Sequence, residues 1–280
     1  MAKKWNMIVD IERCNNCRGC FLAVKDEHTG NDFPGYAAEQ PAMGANWLDI
    51  ERKERGAYPI VDAHFMPTMC NHCDDAPCMK VGGDAVKKRA DGIVIIDPVK
   101  AKGRKDIVES CPYGSISWNE ELELPQAWIF DAHLFDAGWK ETREEQQCPT
   151  DVFRSVKVSD SEMQKMVAEE GLEVLQPELG TKPRVYYKNM HFFTTCFVGG
   201  SVAGLIDGVD ECIDGAEVVL KKDGSEVGRV TSDIFGEFKI DKLEPSSGTY
   251  ELEVSGSTGK LAKSFELGAD SVYLGVLELA

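Results

Sequence analysis

At 280 residues, with 42% hydrophobic and 28% charged side chains, the chain has the make-up of a globular protein able to bury one large core or two modest ones. A formal net charge of −17 argues against nucleic acid, which needs a basic face, and against anionic membrane surfaces. No stretch approaches the roughly 18 apolar residues of a membrane span, and the opening Met1-Ala2-Lys3-Lys4-Trp5-Asn6 is no secretory signal, so a cytoplasmic protein is expected.

Residues 1–157 hold eight of the ten cysteines, many short turns and no long periodic helix. In a compartment that keeps thiols reduced, clustered cysteines point to metal rather than to disulfides. Cys14, Cys17 and Cys20 stand at two-residue gaps, so each thiolate can reach a different iron of one cubane. A zinc site draws two cysteines from each of two knuckles, and a third close cysteine counts against it. Cys70, Cys73 and Cys78 form a second triplet, with Pro77 before the last member; alone it would also suit a zinc ribbon. Cys111 and Cys148 each precede proline, like the fourth cysteine of a bacterial ferredoxin run, which ligates the other cluster. Each triplet lacks a fourth ligand, and two Cys-Pro units remain to supply them.

The next elements change character. A helix is expected over about 159–176, capped by Ser159 or Asp160, with Met163, Met166, Val167 and Leu172 at helical spacing and Gly171 near its end. Pro177 to Pro183, then Arg184 to Lys188, read as an extended connector, so residues 158–194 form a helix and connector between two domains. From residue 195 to 280 the pattern is β. Tyr250, Leu252 and Val254 alternate with Glu251 and Glu253. Glu217–Leu220 and Glu237–Ile240 are further short strands, and Asp223-Gly224 is a turn signal. Short, regularly spaced strands without helices between them predict a small antiparallel sandwich.

Two resemblances follow from these residues. The last 85 or so residues resemble the transthyretin-like or carboxypeptidase-regulatory type of immunoglobulin-like domain. The cysteine-rich half resembles the four-cluster ferredoxin subunits of the DMSO reductase family of molybdopterin oxidoreductases. Gly92 to Asp97, with Val108-Glu109-Ser110-Cys111-Pro112-Tyr113-Gly114-Ser115-Ile116, carries the match to the third of that family's four cysteine motifs. The resemblance implies an α+β ferredoxin-like domain of the double bacterial-ferredoxin type. In the family, motif one shares its last ligand with motif four, and motif two with motif three. Mapped here, Cys14/Cys17/Cys20/Cys148 and Cys70/Cys73/Cys78/Cys111 are complete sets for two [4Fe–4S] clusters. The other two sets, Ala101/Arg104/Ile107/Gly82 and Trp128/Asp131/Glu144/Val24, hold no cysteine. Random decay would leave half-sites, with thiolates costly to bury.

Trp47 to Pro59, Glu170 to Leu175, Pro177 to Asn189 and Phe235-Gly236-Glu237-Phe238 are similar to the small subunits of the pyrogallol–phloroglucinol transhydroxylase family. Their pattern fills the set that here reads Trp128, Asp131, Glu144 and Val24, giving three clusters where this chain is expected to hold two. The resemblance implies a large catalytic partner that binds molybdenum on molybdopterin guanine dinucleotide and acts on a phenol. This chain would pass electrons and supply no catalytic residue. A related hydroxylase acting on resorcinol, a free-standing two-cluster ferredoxin and a zinc-bearing assembly subunit are the other readings left open. Cys196 and Cys212 are expected to be free buried thiols, and His72 a packing residue with a possible hydrogen bond to cluster sulfur. Asp26-Glu27 reads as a solvated turn. Arg52, Lys53, Arg55 and Lys87-Lys88-Arg89 read as solvated cations, or as a dock for an acidic partner.

Overall fold

The computed structural model describes residues 2–280, which divide into two compact units. The first comprises 2–52 and 65–190, the second 53–64 and 191–280.

In the first unit, β1 (Lys4–Asp10) leads through a short 3-10 turn into the first cysteine loop and α1 (Gly19–His28). The hairpin β2 (Leu48–Ala57) and β3 (Ile60–Met69) follows, its tip belonging to the second unit. Then come α2 (Pro77–Gly82), β4 (Val86–Lys88), β5 (Val94–Ile96), α3 (Lys105–Glu109), β6 (Ser117–Asn119) and β7 (Leu124–Gln126). The unit closes with α4 (Ala132–Asp136), α5 (Arg143–Gln147), β8 (Phe153–Val158), α6 (Asp160–Glu170) and β9 (Val185–Lys188).

Met7, Ile8 and Val9 are all buried, the mark of a strand covered on both faces. β1 is accordingly the centre of a three-stranded sheet, antiparallel to β8 (Lys4 opposite Val158) and parallel to β9 (Met7 opposite Val185). Met163 and Leu172 pack on Ile8 from one side. Ser159 caps α6 through a full capping box with Glu162, as its position foretold. The helix is shorter than its apolar spacing suggested: Gly171 adopts φ 62° and ends it, leaving Leu172 to pack beyond the last turn.

The second unit holds α7 (His191–Thr194), β10 (Cys196–Ile206), β11 (Val209–Cys212), β12 (Glu217–Lys222), β13 (Ser225–Thr231), β14 (Glu237–Leu243), β15 (Gly248–Gly256), β16 (Gly259–Leu267) and β17 (Val272–Leu279). One sheet runs β11-β10-β14 with β17 also on β10; the other runs β13-β12-β15-β16. Val198, Val202, Phe238, Ile240 and Leu277 of the first share one core with Val218, Leu220, Leu252 and Val254 of the second. Pairing is antiparallel apart from β10 with β17. Gly236 is fixed by space as well as by its φ of 75°, since a Cβ there would sit 2.4 Å from the Val202 carbonyl oxygen. Cys196 is buried as expected; Cys212 is exposed, because it lies on the outer strand β11, whose residues all face solvent.

Candidate metal centres

Four loops of one backbone design build the cysteine-bearing region. In each, the residue just before the loop's second position is left-handed: Asn16 (φ 59°) before Cys17, His72 (45°) before Cys73, Gly103 (75°) before Arg104 and Phe130 (55°) before Asp131. Non-glycine residues visit that region rarely and at a cost, so three of them at equivalent places mark a shared local demand. Three loops then feed a helix whose second or third residue is the third position, Cys20 in α1, Cys78 in α2 and Ile107 in α3; the fourth passes through α4 first, and its third position, Glu144, is the second residue of α5. Four residues on, one helical turn away, stand Val24, Gly82, Cys111 and Cys148.

The folded chain brings the cysteines together in two groups. Cys14, Cys17, Cys20 and Cys148 line one cavity of about 240 Å³, partly open to solvent, with Ile50, Val152 and Phe153. Cys70, Cys73, Cys78 and Cys111 line another of about 340 Å³, with Val94, Tyr113 and Ile116. Packing of α1 against α5 carries Cys148 to the first triplet, and packing of α2 against α3 carries Cys111 to the second. Burial pushes the Cys20 thiol up to about 12 and Cys78 up to about 11, with neighbouring thiols adding to the effect. Thiols held protonated in this way give up their protons to a metal rather than to water. The Val152 backbone N–H donates to the Cys148 sulfur at 3.3 Å, a bond that favours the more negative sulfur of a reduced cluster. Four thiols at one cavity, twice, with apolar walls, suit iron–sulfur ligation in kind and number.

The two sets without cysteine are filled in different ways. In one, Ala101 and Ile107 are fully buried in an apolar core, and a Cβ on Gly82 would meet Val86 Cγ2 at 2.3 Å, so the space is closed. Arg104 turns outward to Asp106. In the other, Trp128, Asp131 and Glu144 have no exposed surface and Val24 has 1%. This filling is polar: both Glu144 carboxyl oxygens and both His28 ring nitrogens lack hydrogen-bond partners. Asp131 accepts from the Arg143 backbone N–H at 2.7 Å and faces His28 Nε2 at 3.6 Å. Burial, reinforced by Asp131, pushes the Glu144 carboxyl well above its ordinary 4.5.

A raised acid favours the folded state only below its unfolded value, and that advantage is lost as pH rises toward the folded one. Relative to Glu144→Gln, the wild type is therefore expected to lose about 1.4 kcal/mol per pH unit above the ordinary carboxylate range, until Glu144 ionises in place. Unfolding midpoints of both proteins between pH 5 and pH 8 test this; a constant gap would mean that Glu144 titrates normally.

Several residues escaped the sequence. Lys88 is mostly buried rather than solvated: its ammonium donates to the His72 carbonyl at 2.7 Å and the Cys73 carbonyl at 2.9 Å. The signal was there in period two, since Val86 is buried and Lys88 shares its face of β4. Arg55 is likewise buried and paired. His72 accepts from the Val94 N–H at 3.0 Å through Nδ1, and its ring packs on Trp128 and Phe130. Asp26 and Glu27 lie on α1 rather than in a turn, with Glu27 bound to His133 and Arg143.

Residues 61–158 match the family model described as a 4Fe-4S dicluster domain, a span holding five of the eight grouped cysteines. The pyrogallol hydroxytransferase small subunit of Pelobacter acidigallici is 42% identical over 280 aligned residues, covering 99% of this chain and all of that protein. The chain belongs to the family of pyrogallol hydroxytransferase small subunits. More distant relatives of this small-subunit family include the arsenate respiratory reductase iron–sulfur subunit of a Shewanella strain, 37% identical over 40% of this chain and 44% of its own length. A tetrathionate reductase subunit of Salmonella typhimurium is 28% identical over 66% of this chain and 72% of its own. Membership of the hydroxytransferase small-subunit family makes the chain an iron–sulfur subunit of an oxidoreductase. No helix among the described residues is long and apolar enough to cross a membrane.

Proposed function

We propose that this chain is the electron-transfer subunit of a molybdopterin-dependent hydroxylase or transhydroxylase of phenolic compounds, with two [4Fe–4S] clusters and no catalytic residue of its own. Cluster 1 is held by Cys14, Cys17, Cys20 and Cys148, and cluster 2 by Cys70, Cys73, Cys78 and Cys111. The observation that carries this is the pairing of two four-thiol cavities with two equivalent sets that hold no cysteine at any position. Such clusters supply one-electron transfer. The chain's own residues supply the thiolates, keep water from the inner sulfurs by walls such as Ile50, Phe153, Val94 and Ile116, and fix the local charge. The large partner would carry the molybdenum and the phenol site, a division of labour supported by the small-subunit name of the 42% relative. The two-sheet second unit is read as an immunoglobulin-like sandwich of the transthyretin type, serving structure or docking.

A second reading has one observation behind it. Transhydroxylase small subunits of the resembled pattern carry three clusters, and the filled Trp128/Asp131/Glu144/Val24 set shortens the path here by one. That favours a sister hydroxylase acting on a phenol such as resorcinol.

Iron and sulfide analysis with EPR on the complex, purified without oxygen, tests the assignment. About eight irons per chain and two reducible signals are expected. About twelve irons would return the filled set to service, and zinc in place of iron would end the electron-transfer reading.

A further inference from the structure

The first unit holds a partly buried cationic knot, with Lys88 and Arg184 at its inner end, on the backbone that carries cluster 2. All three protons of the Lys88 ammonium are engaged: by the His72 carbonyl at 2.7 Å, the Cys73 carbonyl at 2.9 Å and Asp74 Oδ1 at 2.9 Å. Two of these acceptors belong to the Cys70–Cys73 loop, and one is the carbonyl of a ligand residue itself. The β4–β5 hairpin grips the same loop a second time, where the Val94 N–H donates to His72 Nδ1. Asp74 is shared: Arg184 bonds it through two nitrogens, and the Lys4 ammonium lies 3.4 Å away. Arg184 and Lys4 also reach Asp160. Three cations thus face two carboxylates, and the knot keeps a net positive charge. Its most cluster-proximal member is Lys88, with only 17% of its side chain exposed.

We propose that Lys88 is a positioning residue of cluster 2, whose buried charge raises that cluster's midpoint potential. The inference rests on the two-cluster reading. Reduction adds an electron to the cluster, and a fixed positive charge a short distance away in a poorly screened interior stabilises the product. The backbone bonds add to this by polarising the His72 and Cys73 peptides toward the ammonium, and they hold the loop in its left-handed turn at His72. A lysine placed here for solubility would have pointed out, as exposed Lys87 does beside it.

The test is a potentiometric titration of the anaerobic complex, followed by EPR, with iron content measured on every sample. In Lys88→Met, at the potential where half of wild-type cluster 2 is reduced, the reduced-to-oxidised ratio is expected to fall about tenfold. Cluster 1 should keep its midpoint. Lys88→Arg should keep the wild-type value at cluster 2. Asp74→Asn removes a negative charge and should move cluster 2 the other way, which keeps the test alive if Lys88→Met does not load its cluster. An unmoved cluster 2 in both Lys88→Met and Asp74→Asn would overturn the proposal, as would equal shifts at both clusters. A wild-type iron content far from eight would instead count against the two-cluster reading.

Discussion

Changing Cys20 to alanine is expected to remove about four irons per chain and leave about four, with the cluster 2 signal intact. Cys20 is 6% exposed and shares its cavity with Cys14, Cys17 and Cys148, so its loss leaves three thiols and no complete set. The decisive companion is Cys148→Ala. Although 128 positions separate the two residues, it should erase the same signal as Cys20→Ala, while Cys111→Ala should erase the other together with Cys78→Ala. Iron analysis and EPR on the four variants read the pairing directly. Loss of the cluster 2 signal in Cys148→Ala would break the cross-motif assignment, and loss of all iron in one variant would show that the other site does not load without the altered one. Trp128→Phe and Asp131→Asn, in contrast, should leave iron content unchanged, since neither side chain is asked to bind metal.

What the sequence revealed of this site, and what it hid, has a physical basis. A cubane demands thiolates at short fixed spacings, so Cys14, Cys17 and Cys20 announce themselves without a structure. Cys111 and Cys148, the proposed fourth ligands, stood out because each precedes proline; that they lie beside the triplets rests on α1 meeting α5 and α2 meeting α3, contacts between distant segments. The left-handed turns at Asn16, His72 and Phe130 leave no mark in residue type, because only Gly103 among the four is a glycine. Strand pattern exposed most of the second unit, where one face is buried: Tyr250, Leu252 and Val254 point inward as their alternation requires. It failed on β2 at Arg55, which reads as a solvated cation and is buried. Composition cannot distinguish a charge in water from one held by partners far along the chain, and Arg55 and Lys88 are both of the second kind. The parallel pairing of β9 with β1 was hidden for the same reason, its register being set by residues 178 positions apart.

Arg55→Met is expected to destabilise the second unit by about 3 kcal/mol at neutral pH, toward the lower end of what breaking a buried ion pair costs. Arg55 is 3% exposed. Its guanidinium makes two bonds to Asp62, at 3.0 and 2.9 Å, two to Asp241, at 2.9 and 2.8 Å, and one to the Thr195 carbonyl. Phe192 and Phe197 each lie 5.4 Å from it, so the carbon chain of methionine would keep much of the packing and lose the charge. Lys239 remains bound to Asp62 and lies 3.6 Å from Asp241, which is why the lower figure applies. The pH dependence separates lost charge from lost packing. Burial alone would raise the Asp62 carboxyl, but the bonds from Arg55 and Lys239 outweigh it and hold the group at about 2. A depressed acid stabilises the fold above its unfolded value, and the contribution is lost as pH falls through the folded one. The gap between wild type and Arg55→Met should therefore be full at pH 7 and shrink between about pH 4 and pH 2 as Asp62 and Asp241 protonate. Denaturant midpoints across that range decide it, since a deficit undiminished at low pH would assign the effect of Arg55 to its contacts with Phe192 and Phe197 rather than to its charge.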